Sequence, residues 1–251
     1  MRDTSIDILK CLGIMFVVVG HAGCPHLLHD YIYTFHMPLF FMASGYFFKD
    51  EYLDAKLNFL LRKVKGLYVP FIASSLLFLV FHNTFMDLGI LSVDYGTEYG
   101  YTNHYYSYKE IATRALRIVF AMSGYDEFLL GSLWFFRALF CSSIVLCFGA
   151  WGMKHLCKSI PISITIVSIL CFFGGGFLKY FNGPYPMEEL YRILMAVFFL
   201  GVGYSFRYVF VSLKSVSFLP SFLPSFLLWR DSNLFYHVYN SSCINGTRNY
   251  I

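Results

Sequence analysis

Long apolar stretches alternate along the chain with short polar segments, and their length indicates helices that cross a membrane. One helical span needs about 20 predominantly apolar residues. This pattern predicts an all-α fold, a polytopic transmembrane helix bundle with about six or seven spans. The apolar stretches lie near 6–22, 31–48, 68–86, 129–151, 160–178 and 192–211, with a shorter one at 216–229.

The composition supports a membrane protein and excludes several other classes. Of the 251 residues, 57% are hydrophobic and 14% are charged, whereas roughly a quarter of a soluble domain is charged. The net charge is +4, and the basic residues form short clusters between apolar stretches. This predicts the lipid bilayer as a partner and no nucleic acid. The seven cysteines form no CxxC motif and have no zinc-ligand spacing, so neither a disulfide framework nor a metal site is expected.

Basic residues are enriched in alternate loops, which predicts the orientation of the chain. The segment 49–67 carries five Lys and Arg residues, while 23–30 carries none. Because cytoplasmic loops are richer in Lys and Arg, we expect a cytoplasmic N-terminus and the end of the first span at the outer face. Asp3 and Asp7 argue against a cleaved signal peptide, whose first region is positively charged.

The first span carries ionisable residues that an apolar helix rarely contains. At about 100° per residue, Asp7, Lys10 and His21 fall on one side of the helix and form a polar stripe. Such groups usually face the interior of a helix bundle or a water-filled cavity, which makes them candidate site residues. In the alternative interpretation, Asp7 and Lys10 lie among lipid headgroups and His21 only ends the helix.

The second span places another histidine beside a proline. His36 precedes Pro38, which removes a helical hydrogen bond and can kink or break the helix. Ser44 and Gly45 are small residues that allow a neighbouring helix to approach closely. His36 alone fits a residue at the membrane interface equally well, but two histidines at the outer ends of adjacent helices favour a shared site.

The segment from Lys49 to Gly66 predicts an amphipathic cytoplasmic helix with a basic face. That face can anchor the helix to lipid headgroups, or Arg62 and Lys65 can bind the phosphates of a cytoplasmic ligand. Arg137, near the start of the fourth span, either reaches the membrane surface or binds an anionic group. A further amphipathic helix is predicted at 110–122.

The end of the chain differs from the rest. Prolines recur with a period of four in the sequence SFLPSFLPSF, which does not suit a spanning helix. Residues 212–251 are therefore predicted to be an atypical tail, aberrant or disordered, after a transmembrane domain at 1–211. We expect the natural C-terminal part to be truncated or altered.

Four segments in this order resemble acyltransferase family 3: RDTSIDILKCLGIMFVVVGH, FHMPLFFMASGYFF, RKVKGLYVPF and LWFFRALF. These are bacterial integral membrane O-acyltransferases. The resemblance implies a bundle of roughly ten helices in the inner membrane. It also implies transfer of an acyl group, usually acetyl, from cytoplasmic acetyl-CoA to a hydroxyl of a cell-surface carbohydrate or similar acceptor. Acetyl-CoA would be a donor substrate and no cofactor would be permanently bound.

The resemblance carries over to the residues already singled out. It implies catalytic roles for Asp7, Lys10, His21 and His36, and a cytoplasmic basic pair at Arg62 and Lys65. The hypothesis is that His21 acts as general base or relays the acyl group, because a pKa near 6.5 suits proton transfer. His36 would orient the acceptor or assist the proton transfer.

Two other functions are compatible with the sequence. A membrane transporter without bond chemistry also uses broken helices and intramembrane charges, although we find no internal repeat that relates two halves of the chain. The other alternative is that the chain is an inactive truncated fragment of a membrane acyltransferase, and the unusual tail favours it.

Overall fold

A computed structural model of the chain describes residues 4–91, 104–123, 128–181 and 187–212, and these are mainly helical, with no strand among them. Short 3₁₀ segments cover Asp50–Leu53 and Phe128–Leu133. The α-helices are α1 (Thr4–His21), α2 (His26–Tyr46), α3 (Lys56–Lys63), α4 (Val69–Asp87), α5 (Tyr108–Ala121), α6 (Trp134–Cys157), α7 (Ile160–Tyr180) and α8 (Met187–Ser212).

The prediction of an all-α, polytopic membrane fold is confirmed. Within the described ranges, 4 helical runs are long and apolar enough to cross a membrane, and they coincide with the predicted spans from the third to the sixth. The first two predicted spans are helical as well, as α1 and α2. The stretch at 216–229 and the predicted tail, apart from Ser212 at the end of α8, lie outside the described residues.

The predicted cytoplasmic helix and the third span form one continuous helical run rather than two separate helices. A π-helical turn, Val64–Tyr68, joins α3 to α4, and the Val69 amide bonds to the carbonyl of Val64. Pro70 follows directly and has no amide hydrogen to donate. The wider turn therefore accommodates the proline without ending the helix.

The described residues fall into two compact units, and the chain passes between them after Lys56, at the start of α3, and again within α6 between Cys141 and Ser142. The first unit contains α1, α2, the segment up to Lys56, and the chain from Ser142 through α7 and α8. The second unit contains the rest of the helical run to Asp87, α5 and the start of α6.

Small residues bring the helices of the first unit together. A side-chain carbon on Gly45 of α2 would collide with the backbone of Leu200 in α8, and one on Gly203 would collide with the backbone of Met42. One on Gly201 would overlap the Ser168 hydroxyl of α7. Close backbone approach at small residues is how membrane helices gain packing energy, so the prediction for Gly45 is confirmed.

The second unit is built around α4 and α5. The His82 ring stacks on Tyr106 at 3.7 Å, and Asn83 makes two hydrogen bonds with the backbone of Tyr106, at 2.8 and 3.0 Å. Ser107 caps α5 by accepting a bond from the Glu110 amide. The amphipathic helix predicted at 110–122 is therefore present, beginning two residues earlier.

Candidate functional site

Helices α1 and α2 form an antiparallel hairpin, with the turn at 22–25. Two glycines seven residues apart, Gly13 and Gly20, lie on the face of α1 that meets α2. Positions at that spacing share one face of a helix. Side-chain carbons there would lie 3.0 Å from the rings of Phe40 and Tyr33 respectively, so the glycines let aromatic rings of α2 lie against the α1 backbone.

The aromatic ring that contacts both predicted histidines is that of Tyr33. Its hydroxyl is 3.5 Å from Nδ1 of His21, and the two rings meet edge to face at 6.0 Å. The same ring meets His36 edge to face at 4.9 Å. His29 stacks on it at 4.0 Å, with 25° between the ring planes. The structure therefore gathers His21 and His36 around one tyrosine, with a third histidine added.

His36 is held by its own helix. It is 3% exposed, and its Nδ1 lies 2.7 Å from the carbonyl oxygen of Ile32. A carbonyl only accepts hydrogen bonds, so Nδ1 carries the hydrogen, and Nε2 of the neutral ring carries the lone pair. The turn before Pro38 thus contains a buried imidazole of defined tautomer.

Asp30 joins two further histidines at the start of α2. Its carboxylate lies 3.0 Å from Nδ1 of His26 and 3.4 Å from Nδ1 of His29. Polar side chains therefore continue from the hairpin turn to the ring of Tyr33, because Asp30 contacts His29 and His29 stacks on Tyr33. No set of three or more His, Cys, Asp and Glu side chains in the described part of the chain is arranged to hold a metal ion.

Lys10 lies at the opposite end of the hairpin from His21. Its Nζ is 4.4 Å from the centre of the Phe47 ring, just beyond the end of α2. His21 comes eleven positions after Lys10, which is about 16 Å along a helix axis. Asp7 is half-buried, one turn before Lys10. The predicted stripe therefore extends along most of the hairpin, and of its three residues only His21 belongs to the group of histidines around Tyr33.

The predicted phosphate-binding residues belong to the second unit. Arg62 is exposed in the last turn of α3, and Lys65 is exposed in the π-helical turn that follows. Arg137 is half-buried in the first turn of α6. The two basic residues of the predicted pair thus lie three positions apart along one helical run, both open to solvent.

Sequence reasoning missed Tyr33 and His29. Their signal was nonetheless present, since His29, Tyr33 and His36 stand at spacings of four and three, which place them on one face of a helix. Tyrosine at a membrane boundary usually belongs to an aromatic belt, so the residue type alone does not indicate a site.

One comparison with known proteins gives a match. A family model described as an acyltransferase domain, that of acyltransferase family 3, matches residues 3–241. No curated protein and no solved structure matches the chain.

Proposed function

The chain belongs to acyltransferase family 3, and from that premise we propose that it transfers an acyl group from acyl-CoA to a hydroxyl of an acceptor. The observation that carries the proposal is the contact of one tyrosine with both His21 and His36. Two imidazoles at one site supply the proton transfer that ester formation requires. Acetyl is the proposed acyl group, and a cell-surface carbohydrate is the proposed acceptor.

His21 acts as the general base in the proposed reaction and ends it in the same protonation state in which it began. As the acceptor oxygen attacks the thioester carbonyl, the imidazole removes the hydroxyl proton. The carbon–sulfur bond then breaks, and the departing thiolate takes that proton from the imidazolium. The products are an ester and free CoA thiol, and His21 returns to its neutral form.

The two histidines receive different roles because their surroundings differ. His21 is exposed at the end of α1 and so can be reached by an acceptor. His36 is buried, and its bond to Ile32 leaves the lone pair on Nε2. His36 is proposed to orient the acceptor or to assist the proton transfer to His21, with which it shares the ring of Tyr33.

The basic residues singled out in the sequence are proposed to bind the CoA part of the acyl donor. Arg62 and Lys65 are exposed on one helical run, and their charges suit the phosphates of CoA. Arg137 is proposed to assist in binding the same anion. Asp7 and Lys10 are proposed to maintain the polar stripe. This arrangement assumes a bacterial inner membrane with the N-terminus in the cytoplasm, as the distribution of Lys and Arg favours.

The test is acyl transfer in membrane vesicles that contain the full chain. Vesicles would receive acetyl-CoA labelled in the acetyl group, and the label would be followed into surface carbohydrate. We expect His21→Ala and His36→Ala each to lower the rate at least about a hundredfold, because general acid–base catalysis contributes that much or more. His155→Ala is the matched control, since His155 lies in the last turn of α6 with its ring against Trp151 and is not one of the histidines around Tyr33.

Insertion must be verified for every variant by protease protection of an added tag. Transfer that persists in correctly inserted His21→Ala and His36→Ala would exclude both assignments. Wild-type vesicles that take up no label, although the protein is inserted and acceptor is present, would exclude the proposed reaction itself.

A further inference from the structure

We propose that Tyr33 is a positioning residue that holds His21 and His36 in one fixed arrangement, an inference that rests on the proposed function. The two imidazoles lie on different helices, so a contact between the helices has to set their separation. Tyr33 makes that contact through two different parts of its side chain, the ring and the hydroxyl.

The ring of Tyr33 is held on two sides by histidines of its own helix. His29 stacks on it at 4.0 Å from one turn earlier, and the His36 ring meets it at 4.9 Å with 70° between the planes. These spacings of four and three residues are those at which side chains on one helix touch. The orientation of the Tyr33 ring is therefore tied to that of His36.

The hydroxyl of Tyr33 reaches across to the other helix. It lies 3.5 Å from Nδ1 of His21. A partner at Nδ1 restrains the rotation of an imidazole and leaves Nε2 for the substrate, which is how a third group orients the base in many hydrolases. The distance is long for a hydrogen bond, and such contacts commonly tighten when a substrate binds.

The first helix provides the space that this contact needs. A side-chain carbon on Gly20 would lie 3.0 Å from Cε2 of Tyr33, closer than carbon atoms normally approach. Gly13, on the same face of α1, shows the same 3.0 Å approach to Phe40, where no histidine is involved. The hairpin therefore contains two comparable glycines on one face of α1: Gly20 lies against the ring of Tyr33, and Gly13 lies against the ring of Phe40.

The first measurement compares the loss of a single hydroxyl at two tyrosines of α2. Tyr33→Phe retains the ring and removes the hydroxyl contact with Nδ1 of His21, whereas Tyr31→Phe changes a residue whose ring lies against Phe35. We expect Tyr33→Phe to lower kcat about tenfold, an effect of the size seen when orienting groups are removed. The KM for acetyl-CoA and the thermal stability should stay unchanged, and Tyr31→Phe should match the wild type.

The second measurement compares the two glycines. Gly20→Ala and Gly13→Ala introduce the same closest approach of 3.0 Å between the same helices, and Gly13 has the tighter neighbours beyond it, so a purely structural role predicts a loss of activity in Gly20→Ala no larger than in Gly13→Ala. We expect similar stability in both variants and a loss of kcat in Gly20→Ala that is about tenfold larger. Equal kcat values in the two variants would contradict the proposal.

A spectroscopic readout separates this inference from the proposed function. Protein with ¹⁵N-labelled histidine would be examined by NMR in detergent, because Nδ1 and Nε2 resonances report the tautomer and partners of each ring. Tyr33→Phe should shift the His21 resonances and leave those of His155 unchanged. Unshifted His21 resonances would overturn the positioning role, whether or not the chain transfers acyl groups. If the wild type transferred no acyl group but Tyr33→Phe still shifted the His21 resonances, the proposed reaction would be excluded and the contact between Tyr33 and His21 would stand.

Discussion

The two ends of α2 are held in different ways. At its start, the histidine group is joined by ring contacts and a 3.5 Å hydroxyl contact, all within the α1–α2 hairpin. At its end, the segment from Phe48 to Lys56 is bonded to helices far away in the sequence. We call the first the histidine end and the second the anchored end.

Arg207 of α8 is the principal contact of the anchored end. Its guanidinium donates to the Phe48 carbonyl at 2.8 Å and to the Asp50 carboxylate at 3.3 Å. The Tyr204 hydroxyl donates to the same carboxylate at 2.9 Å. These partners lie 154 to 159 residues apart in the sequence. Charge-assisted bonds of this kind are stronger than neutral ones and restrict geometry.

Helix α6 secures the same segment further along. Lys154 donates to the Asp54 carboxylate at 2.8 Å, and the Lys56 ammonium lies 4.0 Å from the centre of the Trp151 ring. The segment that precedes α3 is therefore fixed by two different helices of the first unit. The comparison indicates a division of labour in which stability resides at the anchored end, while the histidine end positions the groups that are proposed to act on a substrate.

The largest effect should follow from separating α2 from α8. In Gly203→Ala, the added methyl would meet the backbone of Met42, which cannot move aside as a side chain can. We expect a loss of about 3 kcal/mol in the free energy of unfolding, measured as a lower melting temperature in detergent. Gly152→Ala is the control, since nothing lies within 4 Å of a carbon added there. Similar melting temperatures for both variants would contradict the packing described.

The next largest effect should come from Arg207→Met. It removes the bonds to Phe48 and Asp50, and we expect a loss of about 2 kcal/mol, as for hydrogen bonds that involve a charged group. The kcat per folded molecule should remain within about twofold of the wild type, because distant sites act independently. Arg117→Met, at an exposed position of α5, provides the reference. Loss of kcat without loss of stability would refute the division of labour.

A smaller effect, and the sharpest comparison, is expected from deleting one phenol hydroxyl at each end. Tyr204→Phe loses the bond to Asp50 and should cost about 1 kcal/mol of stability, with kcat retained. Tyr33→Phe should show the opposite result, with kcat lowered and the melting temperature retained. If both variants lost the same property, the two ends of α2 would not differ in role.

The smallest effect is expected at the pair formed by the exposed Asp54 and the half-buried Lys154. The hydrogen bond and charge of Lys154 lower the pKa of the Asp54 carboxyl. A lowered pKa in the folded state means that the pair stabilises above the ordinary carboxyl pKa, and that this stabilisation is lost as the pH falls through the lowered value. Melting temperatures of wild type and Asp54→Asn should differ slightly at neutral pH and converge in acid. A difference that grows in acid would reverse the assigned sign.

Much of the fold was predictable because its signals are local. The positions of the predicted helices agree with α1, α2, α4, α6, α7 and α8, since length and apolarity decide whether a segment spans a membrane. The continuity of α3 with α4 was not predicted. It depends on a π-helical turn before Pro70, which a pattern of apolar residues does not reveal.

The candidate site was only partly predictable. His21 and His36 were identified from the energetic penalty of ionisable groups in a membrane helix, and their assigned roles remain predictions. That they share a ring was not predictable, because it depends on the register between α1 and α2. Gly20 sets that register locally by admitting the ring of Tyr33. A glycine in an apolar stretch indicates close packing but does not indicate which helix or which side chain packs against it.

The sequence by itself determined that this chain is a helical membrane protein with histidines on two adjacent helices, although α2 begins at His26 and so places His36 at its middle rather than near its end. Those properties follow from composition and spacing along one segment at a time. Only the tertiary structure decided that Tyr33 links the histidines and that Arg207 anchors Asp50, 157 residues away. The physical reason is that such contacts depend on how whole helices pack, to within the width of a side chain, and no single segment encodes that.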